Sequence, residues 1–250
     1  MKCILINLRK KGLSQNLTKI MLMLVLTVAI SFGLISKLFR DELIIYANSS
    51  VDESKIVIID AGHGGEDSGA VGENGVLEKN LNLEIAFEIG RQLEERGYIA
   101  IYTRTDDRLL YKDEENVKGI RKLYDLKNRC QIADRYPEAT FISIHMNSFG
   151  EAKYSGLQVY YSQNDEHSAV LASSIQNRVV SDVQKDNKRH TKVGEGMYLL
   201  ENIDNTAVLI ECGFLTNPDE CRKLSDKEYQ KLLSFSIVCG IREYKESISE

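Results

Sequence analysis

The pattern of apolar and polar positions changes character near residue 50. From Ile20 to Ile35 the chain is predominantly apolar, with Lys2, Arg9, Lys10, Lys11 and Lys19 before it and Lys37 and Arg40 after it. A basic lead followed by an apolar run is the pattern of a signal peptide or an uncleaved signal anchor. The run is shorter than the roughly 20 residues that span a bilayer, but Lys37 and Arg40 can snorkel at its far end. No small-x-small site follows it directly, and Ala47-Asn48-Ser49 lies well downstream, which favours the anchor. Positive charge is held on the cytoplasmic side, so the rest of the chain is expected outside the cytoplasmic membrane.

Beyond residue 50 short apolar runs alternate with helical periods. Lys55–Asp60 reads K-I-V-I-I-D, a β-branched run that predicts a buried strand. A glycine-rich loop covers 61–77. From about Glu78 to Arg96, Leu81, Ile85, Ile89 and Leu93 recur every four residues with Ala86 beside them, the stripe of an amphipathic helix, and Gly97 stands where it should stop. Tyr98–Thr103 predicts a second strand, parallel to the first because a helix connects them. The polar stretch 104–118 reads as a loop. Ile120–Arg135 predicts a helix with Leu123, Leu126, Cys130 and Ala133 on one face, and Pro137 breaks the chain before a strand at Thr140–Ile144. Further strands are expected at Leu157–Tyr161, Met197–Leu200 and Ala207–Ile210, with helices near Ser168–Asp182 and Lys227–Lys245. The order predicts an α/β fold, a single domain over 51–250 with a mostly parallel or mixed sheet flanked by helices.

Composition narrows the function classes. Only Pro137 and Pro218 occur among 250 residues, and no Gly/Ser-rich linker divides the chain after residue 55. Residues 51–250 carry 25 basic and 35 acidic side chains, a net charge of −10, which argues against nucleic acid as a partner. The five cysteines show no C-x-x-C pairing and read as small buried residues rather than a disulfide framework.

The candidate chemistry gathers at one rim. In open α/β sheets ligand sites form beyond the carboxyl ends of the strands. The first strand runs into His63, the third into His145 and the last into Glu211, while Glu78 opens the helix after the first loop. Two imidazoles and a carboxylate suit zinc, which takes nitrogen and oxygen ligands and keeps a position open in catalytic sites. Their spacing is too wide for a local metal motif, so strand-end placement carries the signal. Each residue also has a plain reading: His63 bound to turn backbone, His145 a satisfied core histidine, Glu78 a favourable charge at a helix N-terminus. Glu211 ends the apolar run V-L-I, where an unpaired carboxylate is costly.

Several runs resemble the zinc-dependent N-acetylmuramoyl-L-alanine amidases: I-V-I-I-D-A-G-H-G-G-E-D-S-G-A-V-G-E-N-G-V-L-E-K-N-L-N-L from Ile56 to Leu83, Y-T-R-T-D-D from Tyr102, F-I-S-I-H-M-N-S from Phe141, G-L-Q-V-Y-Y from Gly156 and V-L-I-E-C-G-F-L-T-N from Val208. The resemblance implies zinc on His63, Glu78 and His145, with Glu211 catalytic, and a zinc site at the carboxyl ends of the strands. Relatives often carry Pro where Ala61 stands, which affects the turn and no reacting group. Asp60 is a candidate to orient a ligand imidazole, and Arg104 and Arg129 to grip peptide carboxylates or form structural ion pairs. A short chain with a signal anchor and no wall-binding repeats looks like the germination-specific, spore-cortex type. That type acts on peptidoglycan so that muramic δ-lactam can form, and its clostridial members are thought to use an accessory lipoprotein. The rivals are another zinc peptidoglycan hydrolase, a carboxypeptidase or deacetylase, and a non-catalytic anchored wall-binding protein.

Overall fold

A computed structural model describes residues 52–248, with three isolated helical positions at 23, 27 and 31. The expected signal segment lies otherwise outside the described residues. The chain divides between Val51 and Asp52 into two compact units. Among the described residues no helix is long and apolar enough to cross a membrane.

Six strands form one sheet: β1 (Ile56–Ala61), β2 (Ile99–Tyr102), β3 (Thr140–Asn147), β4 (Gln158–Tyr161), β5 (Lys192–Val193) and β6 (Ala207–Phe214). Their spatial order is β2-β1-β3-β6-β4-β5. All neighbours are parallel except β4, which runs antiparallel to β6, so the sheet is mixed. The helices are α1 (Glu78–Glu94), α2 (Arg121–Ala133), α3 (Ser168–Asp182), α4 (Tyr198–Asn202), α5 (Pro218–Ser225) and α6 (Lys227–Ser247). Gly97, at φ 83°, ends the turn after α1 in the left-handed region that glycine enters freely.

β1 is buried at all six positions because helices cover both sides of it. Successive side chains alternate between the two faces. Val57 and Ile59 join Leu81, Ile85 and Ile89 of α1 and the apolar sides of α3, α5 and α6 in the larger core. Ile56 and Ile58 pack instead with Cys130 and Ala133 of α2 and Leu199 and Leu200 of α4. That second face is more thinly covered, and the site opens there.

Three elements differ from expectation. Met197–Leu200 was expected as a strand and lies mostly in α4: a four-residue apolar run without β-branched side chains does not distinguish the two. The edge pairing with β4 falls just upstream, on Lys192 and Val193. In α2, Leu123 is 40% exposed and the buried positions are Asp125, Arg129, Cys130 and Ala133, because the sheet beneath offers Asp60 for a buried arginine to meet. The additional helix α5 starts at Asn217, whose side chain accepts from the Asp219 and Glu220 N–H groups, with Pro218 in its first turn.

Candidate active site

The four candidate residues come from four segments that the sheet brings to one rim. β1 hands the chain through Gly62 to His63, which sits at φ 62°. A left-handed conformation costs a residue with a Cβ about 1–2 kcal/mol, so the surroundings must hold it. Glu78 is the first residue of α1 and is buried. β3 carries His145, and the register sets His145 directly beside Glu211 of β6. Asp60 pairs with Ser143, two residues before His145, so Asp60, His145 and Glu211 share the thinly covered face.

One carboxylate oxygen stands between the two imidazoles. Glu78 Oε1 lies 3.1 Å from His63 Nε2 and 2.9 Å from His145 Nδ1. It also accepts from the Met146 N–H at 3.1 Å, while Oε2 accepts from the Ala70 N–H at 2.7 Å. The rings meet edge to face, with centroids 4.9 Å apart. Asp67 Oδ2 lies 2.9 Å from His63 Nδ1 and fixes the far side of that ring.

The electrostatics follow from burial and these contacts. Burial would raise the Glu78 carboxyl, but the His145 and His63 hydrogen bonds hold it far below the usual range. Burial would lower the His63 imidazole, yet its bonds to Asp67 and Glu78 lift it to about 9. Glu211 behaves oppositely. Burial, opposed by His145 and reinforced by the Glu78 charge, pushes it up to about 7. Its Oε2 is buried with no hydrogen-bond partner among the described residues. An ordinary core would not leave that oxygen unpaired, and a carboxyl poised near neutrality suits proton transfer.

Asp60 touches neither imidazole by hydrogen bond. It is fully buried and accepts from the Thr103 hydroxyl at 2.7 Å, the Ser143 hydroxyl at 2.6 Å and Arg129 Nη1. Of the two aspartates, Asp67 rather than Asp60 bonds to an imidazole, that of His63. Arg104 and Arg129 are each 1% exposed, and their hydrogen bonds go to groups inside the protein. Arg129 forms ion pairs with Asp60 and Asp125, whereas Arg104 bonds to backbone carbonyls alone. Asp67 and Asn82 were not singled out in the sequence. Asn82 stands one turn after Glu78, a polar residue on an apolar stripe, and donates to the Gly62 carbonyl at 3.1 Å and to Glu78 at 3.3 Å. That break in the stripe was its signal, while Asp67 sat in a loop with no period to mark it. Cys130, Cys212 and Cys221 are buried free thiols, and burial drives the Cys212 thiol upward, away from nucleophilic use.

The donor set fits a metal ion. One ligand atom each from His63, Glu78 and His145 lie within 4.8 Å of one another. Nitrogen and carboxylate donors are those zinc accepts. The space around them depends on glycine: a Cβ on Gly62 would fall 2.2 Å from His145 ring atoms, and one on Gly69 2.5 Å from Glu78 Oε2. A cavity of about 260 Å³ opens over His63 and His145, walled by Leu126, Met197, Tyr198 and Leu209. Larger clefts lie elsewhere, two of them more than twice its volume. One of about 590 Å³ is formed by residues at the opposite end of the strands, including Lys55 and Thr140, and one of about 790 Å³ lies between α1 and α6. Neither contains this donor set.

Residues 57–243 match the family described as N-acetylmuramoyl-L-alanine amidase. A germination-specific N-acetylmuramoyl-L-alanine amidase of Bacillus subtilis is 35% identical over 190 residues, covering 76% of this chain and 79% of that protein. The CwlD amidase of Clostridioides difficile, solved in complex with the GerS lipoprotein, superposes with a TM-score of 0.73 at 38% identity, covering 77% of this chain and 98% of that one. An N-acetylmuramoyl-L-alanine amidase of Clostridium difficile 630 superposes at 0.65 with 31% identity, covering 77% and 97%. A match that runs from β1 into α6, through every strand that frames the rim, makes this chain a member of the N-acetylmuramoyl-L-alanine amidase family, hydrolases that act on peptidoglycan.

Proposed function

We propose that the chain is a zinc-dependent amidase that cleaves the bond between the lactyl group of muramic acid and the L-alanine of the stem peptide. The observation that carries this is the pairing of a three-donor cluster with Glu211, a half-buried carboxyl raised to about 7 and in register beside His145. His63, Glu78 and His145 would hold the ion, with Asp67 fixing the ring of His63. Zinc bound there supplies a Lewis acid that polarises the scissile carbonyl and makes water more acidic. Glu211 takes the proton of the attacking water and then delivers it to the departing L-alanine amine.

The proposed setting is extracytoplasmic, with residues 1–50 as a signal anchor and the spore cortex as the place of action. The germination-specific relative supports the cortex. The relative solved in complex with a lipoprotein supports an accessory lipoprotein as partner. Neither sulfur ligands nor nucleic acid enters this reading.

The test is metal content and product analysis on the purified full chain in detergent with muropeptides. One zinc per chain and release of a free peptide beginning with L-alanine are expected. Release of a shortened peptide or of acetate would make the protein a different hydrolase. Zinc without turnover, restored by a co-expressed lipoprotein, would establish the partner, and wall binding with neither zinc nor turnover would mark an anchored binding protein.

A further inference from the structure

Three successive backbone carbonyls lead from β1 into the His63 turn, and two buried guanidiniums bond to all of them. Arg104 Nε donates to the Ala61 carbonyl at 2.8 Å, and its Nη2 to the Gly62 carbonyl at 3.0 Å. The same Nη2 donates to the Lys79 carbonyl at 2.7 Å, one residue from Glu78 in the first turn of α1. Arg129 Nη1 donates to the Ala61 carbonyl at 2.9 Å, and its Nη2 to the His63 carbonyl at 2.9 Å. One guanidinium therefore ties the His63 turn to the helix start that carries Glu78. The other ties that turn to α2. Arg129 is itself aimed from two sides. Asp125, one turn earlier in α2, receives Nε at 2.9 Å and Nη2 at 3.2 Å, and Asp60 receives Nη1.

We infer that Arg104 and Arg129 are positioning residues that set His63 relative to Glu78 and thereby govern metal affinity; this rests on the metal-site reading proposed above. Other bonds hold the turn too, from the Gly62 N–H to the Ile144 carbonyl, between the Gly64 and Asp67 backbones and from Asn82 to the Gly62 carbonyl, but the arginines hold the carbonyls on both sides of Gly62. His63 lies in the left-handed region between Gly62 and Gly64, and glycine contributes no side chain to restrain the backbone. A planar guanidinium presents five donors in a rigid fork and can hold several carbonyls at set angles, which an ammonium group cannot. Each is 1% exposed, and Arg129, which borders the cavity over His63, has its five donors engaged by Asp125, Asp60 and the Ala61 and His63 carbonyls. Buried ion pairs are often replaceable by apolar side chains without loss of stability. The cluster of Asp60, Asp125, Arg104 and Arg129 therefore points to geometry as its purpose.

Arg104→Lys and Arg129→Lys, made in the full chain, keep the charge and lose the fork. Zinc affinity is read by chelator competition, ligand geometry by the visible spectrum of the cobalt-substituted protein, and KM and kcat at saturating metal. Each variant that folds by circular dichroism should bind zinc roughly 10- to 100-fold more weakly, with an altered cobalt spectrum and an unchanged KM. Wild-type affinity and spectrum in a folded variant would overturn the inference. So would a raised KM at intact affinity, which would return the arginines to the substrate. Should a lysine variant fail to fold, Asp125→Asn decides, since it keeps both arginines and removes the charge that aims Arg129, while the amide oxygen can still accept from the Leu110 N–H. Weaker zinc binding by that folded variant supports the inference, and unchanged affinity rejects it. A wild-type chain that binds no zinc would instead defeat the metal reading itself, and this inference with it.

Discussion

The two faces of the central sheet use the same strands for opposite ends. On one face Val57, Ile59, Ile142, Ile144, Val208 and Ile210 meet α1, α3, α5 and α6 in an apolar core. On the other, Asp60, Ser143, His145 and Glu211 stand at the equivalent alternate positions near the carboxyl ends. The first face is held by burial of hydrocarbon, which is non-directional and tolerant of detail. The second has a smaller apolar cluster and, near the carboxyl ends, hydrogen bonds and ion pairs, which are directional. The lesson is a division of labour: one face supplies stability and the other spends part of it to hold charged groups in place.

The comparison breaks most sharply at Glu211. Glu211→Gln keeps the side chain's shape and removes the proton carrier, so turnover should fall by roughly 10²- to 10⁴-fold, with zinc content unchanged by metal analysis. Near-normal turnover would remove Glu211 from the mechanism. On the apolar face, Ile85→Ala opens a fully buried site and should cost about 2–5 kcal/mol of unfolding free energy. Denaturant melts check this, with kcat per folded molecule unaltered. Activity loss beyond the folded fraction would show that the faces are less separable than the packing indicates.

A third test uses pH. His63 holds its proton up to about 9 because Asp67 and Glu78 outweigh its burial. That proton must leave before the ring can bind a metal, whereas Glu78 is ionised throughout. Apparent zinc affinity should therefore rise about tenfold per unit as pH climbs toward 9, and level off above it. In the metal-free protein the same proton stabilises the fold fully below the ordinary 6.5, and that contribution is lost as pH rises through about 9. Titrations in a non-chelating buffer read both effects; a pH-independent affinity would show that His63 is not a ligand. The smallest effect belongs to the exposed side of α2. Leu123→Ser, at a residue 40% exposed, should change stability within about 0.5 kcal/mol. A larger loss in thermal melts would mean that this side is covered.

The apolar face was legible because its periods are long. The four-residue repeat of Leu81, Ile85, Ile89 and Leu93 marked α1, and the β-branched runs at Ile56 and Val208 marked central strands. Short elements were not: the four-residue run at Met197 fits either structure, and α5 announced itself only through its cap. On the chemical face, strand ends pointed to His63, His145 and Glu211. Asn82 was marked only by a break in the stripe, while Asp67 and the carbonyl-binding work of Arg104 were hidden, since Asp67 lies in a loop without a period and the Ala61 and Gly62 carbonyls lie 43 and 42 positions from Arg104.

By itself the sequence determined the α/β alternation, the parallel pairing of β1 and β2 and the four residues at the rim. Each follows from short-range rules: side-chain periodicity, helix crossovers and the habit of strands to end in functional loops. The tertiary structure decided that Glu78 places one oxygen between two imidazoles, that Asp67 rather than Asp60 bonds to His63, and that two arginines face inward. Those outcomes depend on register, burial and donor geometry across segments far apart in the chain. Strengths of hydrogen bonds and charges are set by such distances and by the exclusion of water, which no residue carries in its own identity.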